Sequence, residues 1–96
     1  MIDLDKKSLV IVKEILQQYL PNTPVKVFGS RVTGKAKQFS DLDLVIIGGD
    51  PISFEKMNDL KFAFSNSDLP ILVDIVDWHQ LSPAFREKIL KASVDL

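Results

Sequence analysis

The 96-residue sequence contains no cysteine and only one histidine. The lack of cysteine excludes disulfide bonds, a thiolate nucleophile and a zinc site with cysteine ligands. It also fits a reducing compartment, so we expect a cytoplasmic protein. The single histidine, His79, follows a predicted strand end beside Trp78, and we include neither residue among the candidate catalytic groups.

An excess of charge of one sign is also missing. The 12 basic and 13 acidic side chains leave a formal net charge of −1. The chain therefore lacks the basic surface of a dedicated DNA- or RNA-binding protein. Long nucleic acid is not the partner that we expect.

Long apolar segments are absent as well. No run approaches the roughly 18 apolar residues of a membrane span. The N-terminal segment Met1–Lys7 carries acids before its lysines and lacks the small-residue cleavage site of a signal peptide. We therefore expect no membrane association.

What is present is enough for one folded domain. Hydrophobic residues make up 46% of the chain and charged residues 26%, which is ordinary for a globular protein. At this length the chain has room for a single domain, predicted over residues 1–96.

Hydrophobic periodicity predicts the element order α-β-β-α-β-α. Apolar residues three or four apart indicate helices, and short β-branched runs that end at glycine indicate strands. Asp-Pro and Ser-Pro pairs indicate helix starts. The predicted helices run from about Ser8 to Leu20, from Asp50-Pro51 to about Ser65, and from Ser82-Pro83 through Val94; the predicted strands are Val25–Phe28, Leu42–Ile47 and Ile71–Val76.

Two predicted strands contain acids. A buried carboxylate is costly unless a cation satisfies it. Asp41 and Asp43 are two residues apart, so on a strand their side chains leave the same face. Asp74 interrupts another apolar strand, and would bring a third carboxylate to the same edge if the strands are neighbours. Oxygen ligands without softer groups are typical of Mg²⁺, and three carboxylates suffice for two ions.

The turn after the first strand reads Gly29-Ser30-Arg31. A glycine at a strand end lets the backbone approach a phosphate, and Ser30 can donate through its N–H and its hydroxyl. Arg31 adds positive charge suited to a triphosphate, as do Lys35 and Lys37. A solvated basic turn remains an alternative for this segment, as does simple turn capping for the Asp-x-Asp pair.

A Walker A loop is excluded. Gly29, Gly34 and Lys35 fit the pattern G-x-x-x-x-G-K. Ala36, however, stands where Ser or Thr should contact Mg²⁺, and a new strand begins where the motif needs a long helix.

Taken together, three segments resemble the nucleotidyltransferase domain of the polymerase β superfamily, and specifically its minimal nucleotidyltransferase (MNT) branch. They are Gly29-Ser30-Arg31, Ser40-Asp41-Leu42-Asp43-Leu44 and Val73-Asp74-Ile75-Val76-Asp77. The resemblance covers the chain from about Val27 through the helix that contains Phe85 to Leu90. It implies an α/β (α+β) fold with a mixed sheet flanked by helices.

The resemblance also implies roles for individual residues. Gly29 and Ser30 would bind the phosphates of ATP or another NTP, with Arg31 nearby. Asp41 and Asp43 would ligate Mg²⁺, with Asp74 as the third catalytic and metal-binding carboxylate. Together the three would hold two Mg²⁺ ions. Asp77 lies in the same strand on the opposite face and is the alternative to Asp74.

The implied function is Mg²⁺-dependent transfer of a nucleoside monophosphate, AMP from ATP first of all, to an acceptor. MNT proteins pair with HEPN-domain partners in toxin-antitoxin-like systems, and some adenylylate the partner. The acceptor is then a hydroxyl of such a partner, and a homo- or hetero-oligomer would complete the open cleft. The alternative is a non-catalytic, antitoxin-like module that neutralises its partner by binding it.

Overall fold

A computed structural model describes all residues 1–96. The helices are α1 (Lys6–Tyr19), α2 (Ser30–Thr33), α3 (Phe54–Ser65) and α4 (Pro83–Lys91), with a 3-10 helix at Trp78–Gln80. The strands are β1 (Val25–Phe28), β2 (Leu42–Ile46), β3 (Val73–Asp77) and β4 (Ser93–Asp95). No helix combines the length and the hydropathy needed to cross a lipid bilayer.

The strands form one four-stranded sheet in the order β3-β2-β1-β4. β2 pairs in parallel with β3, while β1 pairs antiparallel with both β2 and β4. The parallel pair is connected through α3, because parallel strands need a crossover. The expected mixed sheet flanked by helices is confirmed.

The main core lies on one face of the sheet. Alternate residues of the central strand, Leu42, Leu44 and Ile46, are fully buried there, as period-two alternation requires. The helices that complete this core are α1 and α3; their buried residues include Val12, Leu16, Leu60 and Phe64.

The opposite face carries the alternate residues of the same strands, Asp43 and Val45 on β2 among them. Helix α4 reaches this face through Phe85, whose ring meets that of Phe28 edge to face with the ring centroids 5.9 Å apart. Asp43 and its register partner Asp74 therefore lie on the side away from the main core, whereas Asp77 lies on the core side.

Three local features differ from the sequence prediction. Ser30–Thr33 forms a single helical turn inside the small polar segment. The third helix is capped by Ser53, whose Oγ accepts from the Lys56 N–H at 3.1 Å, and not by Asp50. The prediction that Val94 continues the terminal helix is wrong, because this residue pairs with Val27 as part of β4.

Candidate active site

Asp43 and Asp74 lie directly opposite each other on neighbouring parallel strands. They are register partners of β2 and β3, and adjacent strands are about 4.8 Å apart. Side chains at paired positions leave the same face of a sheet. Asp41 precedes Asp43 by two residues and stands just before β2. The fold thus brings acids from two separate segments to one edge of the sheet.

The electrostatics of Asp43 reflect this arrangement. Partial burial raises the pKa of its carboxyl above the usual 3.8, and the negative charges of Asp74 and Asp41 raise this pKa further. The two salt bridges of the chain join other residues. The aspartates that accept side-chain hydrogen bonds are Asp5, Asp77 and Asp95. The three candidate carboxylates therefore repel one another without a protein cation between them.

These side chains do not form a finished coordination shell. No group of three or more His, Cys, Asp or Glu side chains is arranged so that it could hold a metal ion. Asp41 and Asp74 are both exposed, and exposed side chains have rotamers to choose from. The backbone brings the acids together, and their side chains are left free to reorient.

Gly29 lies in contact with Asp43. Phe28, the last residue of β1, is the register partner of Asp43, so the chain turns away immediately beside the carboxylate. A Cβ at Gly29 would collide with Oδ2 of Asp43 and would lie 3.1 Å from its Cγ. The glycine also has a φ of +80°, which residues with a side chain rarely adopt. Glycine is required here by both space and conformation.

The short helix α2 starts at this turn. Gly29 is its N-cap, and the Gly29 carbonyl accepts from the N–H groups of Val32 and Thr33 at 3.0 and 3.1 Å. Ser30 is the first residue of the helix and is half-buried. The N–H groups at the start of a helix have no partner within it, so Ser30, which follows the glycine beside Asp43, can donate hydrogen bonds to a ligand.

The Arg31 side chain, for which a phosphate contact is predicted, contacts the backbone of its own chain. Its side chain is only 7% exposed, and its guanidinium donates to backbone carbonyls. The acceptors are Asp3 (2.7 Å from Nη1), Lys37 (3.4 Å from Nη2), Gln38 (3.1 Å from Nη2) and Ser40 (3.1 Å from Nε and 2.9 Å from Nη2). These five contacts to the chain itself hold the cation in a buried position, and the phosphate contact stays a prediction.

Asp77, the alternative third acid, is buried and accepts two hydrogen bonds from the backbone. Its side chain is 2% exposed. Oδ2 accepts from the Ile52 N–H at 2.8 Å, and Oδ1 accepts from the His79 N–H at 3.0 Å. It therefore joins the loop before α3 to the 3-10 helix, on the face opposite to Asp74. His79 in turn makes a 2.9 Å hydrogen bond through Nε2 to the Gly48 carbonyl.

Two exposed apolar side chains precede the acids in the chain, and neither is among the site residues predicted from the sequence. Leu72 is 73% exposed and Phe39 is 70% exposed. Leu72 precedes Asp74 by two residues, and its carbonyl accepts from the Leu42 N–H at 2.9 Å, so it extends the strand and leaves the same face. In the sequence, the feature that could have pointed to them is that each stands two residues before a candidate acid.

Known proteins of similar sequence are nucleotidyltransferases. A family model described as Polymerase beta, Nucleotidyltransferase matches residues 11–96. MntA of Haemophilus influenzae, assigned as a protein adenylyltransferase, is 53% identical over 93 residues, which cover 97% of this chain and 82% of that protein.

Solved structures share the fold. A protein assigned as a minimal nucleotidyltransferase is 30% identical, with a TM-score of 0.75 and 97% of each chain covered. A structure of the tri-AMPylated Shewanella oneidensis HEPN toxin in complex with MNT antitoxin is 17% identical, with a TM-score of 0.65, 92% of this chain covered and 70% of that chain. The chain belongs to the polymerase beta nucleotidyltransferase family.

Proposed function

We propose that this protein transfers AMP from ATP to a hydroxyl group of a partner protein, in a reaction that depends on Mg²⁺. The observation that carries the proposal is the register pairing of Asp43 with Asp74 beside the Gly29 turn. Membership of a nucleotidyltransferase family supports the reaction class. The 53% identity to a protein assigned as a protein adenylyltransferase supports both AMP and a protein acceptor.

The residues present fit Mg²⁺. Asp41, Asp43 and Asp74 offer only carboxylate oxygens, which Mg²⁺ prefers over nitrogen and sulfur ligands. Partial burial and, after it, the charges of Asp74 and Asp41 raise the pKa of Asp43, and a divalent cation would offset the repulsion among the three carboxylates. When bound, Mg²⁺ supplies charge neutralisation for the triphosphate and for the transition state, and two ions can share this task.

Gly29 and Ser30 would hold the triphosphate. The missing side chain of Gly29 allows a phosphate to approach the backbone next to Asp43. Ser30 can donate through its N–H at the start of α2 and through its hydroxyl. Donors fixed before the substrate arrives stabilise developing negative charge at little reorganisation cost.

Asp74 would act on the acceptor. It is exposed on the strand next to Asp43, so its carboxylate can orient an incoming hydroxyl and accept its proton. The hydroxyl oxygen then forms a bond to the α-phosphorus while the bond from that phosphorus to the bridging oxygen breaks. Pyrophosphate leaves, and the acceptor carries AMP.

A protein acceptor fits the surface around the acids. Phe39 and Leu72 are both more than two-thirds exposed (70% and 73%) beside Asp41 and Asp74, and exposed apolar groups at a site are typical of protein contacts. The structure with the similar fold that contains an AMPylated HEPN toxin supports a HEPN-type partner. We propose a complex of the two proteins in the cytoplasm, with residues 1–96 acting as one minimal domain.

Label transfer tests the proposal. The protein is incubated with Mg²⁺, ATP labelled at the α-phosphate and a HEPN-type protein from the same organism. We expect the partner to become labelled, and Asp43→Ala to reduce the rate by at least about 100-fold, as loss of one electrostatic contact to a transition state commonly does. Asp59→Ala, a change of an exposed acid on α3, is the matched control and should leave the rate unchanged.

The same experiment separates transfer from binding alone. Unlabelled partner that is nevertheless inhibited by folded wild-type protein would identify the chain as a neutralising binding module. Labelling that survives Asp43→Ala would remove Asp43 from the mechanism.

A further inference from the structure

We propose that Arg31 is a positioning residue, which anchors the turn Lys37–Ser40 and thereby fixes the backbone from which the Asp41 carboxylate reaches the metal. The inference rests on the proposed function, in which Asp41 is a metal ligand. Its basis is the buried guanidinium, 7% exposed, and the carbonyls that it contacts.

Two of the hydrogen bonds of Arg31 end on the residue that precedes Asp41. Nε and Nη2 of Arg31 both donate to the Ser40 carbonyl, at 3.1 and 2.9 Å. This carbonyl and the N–H of Asp41 belong to the same planar peptide unit. Holding the Ser40 oxygen at two points therefore holds the orientation of the backbone from which the Asp41 side chain departs.

The turn before Ser40 is held as a unit. Nη2 also reaches the Lys37 and Gln38 carbonyls, at 3.4 and 3.1 Å. The turn closes on itself as well: the Lys37 N–H donates to Ser40 Oγ at 2.8 Å, and the Ser40 N–H donates to the Lys37 carbonyl at 3.1 Å. Movement of any part of the turn would break contacts to the guanidinium.

The N-terminal segment completes the anchor. Nη1 of Arg31 donates to the Asp3 carbonyl at 2.7 Å, and the Asp3 N–H donates to the Arg31 carbonyl at 2.7 Å. This reciprocal pair ties the residues before α1 to α2, and α2 itself begins at the phosphate-type turn. The guanidinium is thus fixed from both sides.

Arginine suits this position better than lysine. Its planar guanidinium presents five N–H donors on three nitrogens, which can reach acceptors in different directions, whereas an ammonium is a single point. Asp41 is exposed and relies on its backbone for placement. Residues behind a metal ligand commonly change metal affinity by about 10- to 100-fold when they are altered.

A double-mutant cycle between Arg31 and Asp41 tests the proposal. The variants are Arg31→Gln, Asp41→Asn and the combination, and the probe is Mn²⁺ binding in the presence of a non-hydrolysable ATP analogue. We expect each single change to weaken Mn²⁺ binding by about 10-fold. The double variant should bind no more weakly than Asp41→Asn, because Arg31 acts only through Asp41. Losses that multiply would show that Arg31 contacts the ligand directly, and would overturn the proposal.

Arg86 provides the matched control, as the other arginine of the chain. Its Nε donates to the Trp78 carbonyl at 3.0 Å, and its guanidinium lies over the Trp78 ring, 5.2 Å from the centroid. Arg86→Gln removes a similar contact on α4, away from the turn before Asp41. It should leave Mn²⁺ binding unchanged; a loss equal to that of Arg31→Gln would overturn the assigned role.

Amide hydrogen exchange separates failure of this inference from failure of the proposed function. Arg31→Gln should accelerate exchange at residues 37–41, and Arg86→Gln should not. Unchanged exchange in Arg31→Gln overturns the anchoring. If wild-type protein binds no Mn²⁺, the metal site and the proposed function fail, and the exchange result alone decides whether Arg31 anchors the turn.

A second variant covers the case in which Arg31→Gln does not fold. Ser40→Ala removes the acceptor of the Lys37 N–H and loosens the same turn while Arg31 remains. Ser40→Ala introduced alone should weaken Mn²⁺ binding. Combined with Asp41→Asn, it should weaken Mn²⁺ binding no further than Asp41→Asn does by itself. Unchanged binding in Ser40→Ala, together with unchanged exchange at residues 37–41, would contradict the proposal.

Discussion

At the scale of single residues, the site depends on how closely Gly29 approaches Asp43. The turn after β1 can begin here because no side chain stands between the two. The same closeness contributes to the partial burial of the carboxylate, which is the first cause of its raised pKa. The glycine therefore shapes both the space and the electrostatics of the site.

Gly29→Ala should abolish transfer while leaving most of the protein folded. The new Cβ would collide with the Asp43 carboxylate, and the φ of +80° adds backbone strain, so the carboxylate must move. We expect a loss of at least about 100-fold in rate, since small displacements of catalytic groups are costly. Label transfer to the partner and thermal unfolding measure the two effects.

Gly34→Ala is the control for the contribution of backbone strain. Gly34 has nearly the same φ, +82°, but nothing lies within 4 Å of a Cβ built there. The Gly34→Ala substitution should lower the free energy of unfolding by about 1 kcal/mol through strain alone. It should keep the rate of transfer within about threefold of wild type, which is small when about 1.4 kcal/mol corresponds to a tenfold change in rate. Equal loss of transfer in both variants would refute the steric explanation.

At the scale of elements, the start of α3 shows how a tertiary contact overrides a local signal. Asp50-Pro51 is a typical helix start, yet the helix begins at Phe54. Asp77 accepts the Ile52 N–H at 2.8 Å and so takes the donor that a capping Asp50 would bind. Ser53 then becomes the cap.

The two candidate caps can be compared directly. Ser53→Ala should destabilise the protein by about 1 kcal/mol, because Oγ no longer accepts the Lys56 N–H. Asp50→Ala should change the free energy of unfolding by less than about 0.5 kcal/mol, as surface substitutions usually do. Urea unfolding measures both, and the reverse ranking would show that the helix starts at Asp50 in solution.

At the scale of the whole molecule, the acidic site works against the stability of the fold. Three carboxylates share one edge of the sheet without a salt bridge, and only 16 of 96 residues are buried. A small core leaves little reserve, because domains of this size are marginally stable. Binding of a cation or a partner would add stability by mass action.

Asp43→Asn should therefore be more stable than wild type at pH 7 without metal. Between 3.8 and its raised pKa, the folded wild type binds more protons at Asp43 than the unfolded chain does. Its free energy of unfolding consequently falls as the pH rises through this interval. The variant escapes this loss, which we expect to be below about 1 kcal/mol because solvent screens a partly exposed group.

Thermal unfolding with a chelator from pH 7 down towards 3.8 measures the difference, which should shrink as the pH falls. Added Mg²⁺ should stabilise wild type and not Asp43→Asn, if the proposed metal site is correct. Asp59→Asn on α3 should follow wild type throughout. A variant less stable than wild type at pH 7 would contradict the assumed repulsion.

The sequence alone was sufficient for the family, whose resemblance implied the mixed sheet, and for the approximate positions of the three longer strands. The strands follow from local pattern, and Asp43 and Asp74 stand out because carboxylates rarely interrupt apolar strands without a reason. Local pattern also marked Gly29 as a turn. The role of the acids in binding metal and that of Gly29, Ser30 and Arg31 in binding phosphate remain predictions, as do the cytoplasmic location and the single-domain organisation.

Only the tertiary structure decided what depends on partners distant in sequence. It showed that Asp74 lies opposite Asp43 while Asp77 is buried against Ile52, because strand register sets which face meets which neighbour. It also turned Arg31 towards four backbone carbonyls, a use of charge that composition and spacing do not reveal. Burial and hydrogen bonding are properties of neighbours in space, and the sequence specifies those neighbours only through the fold.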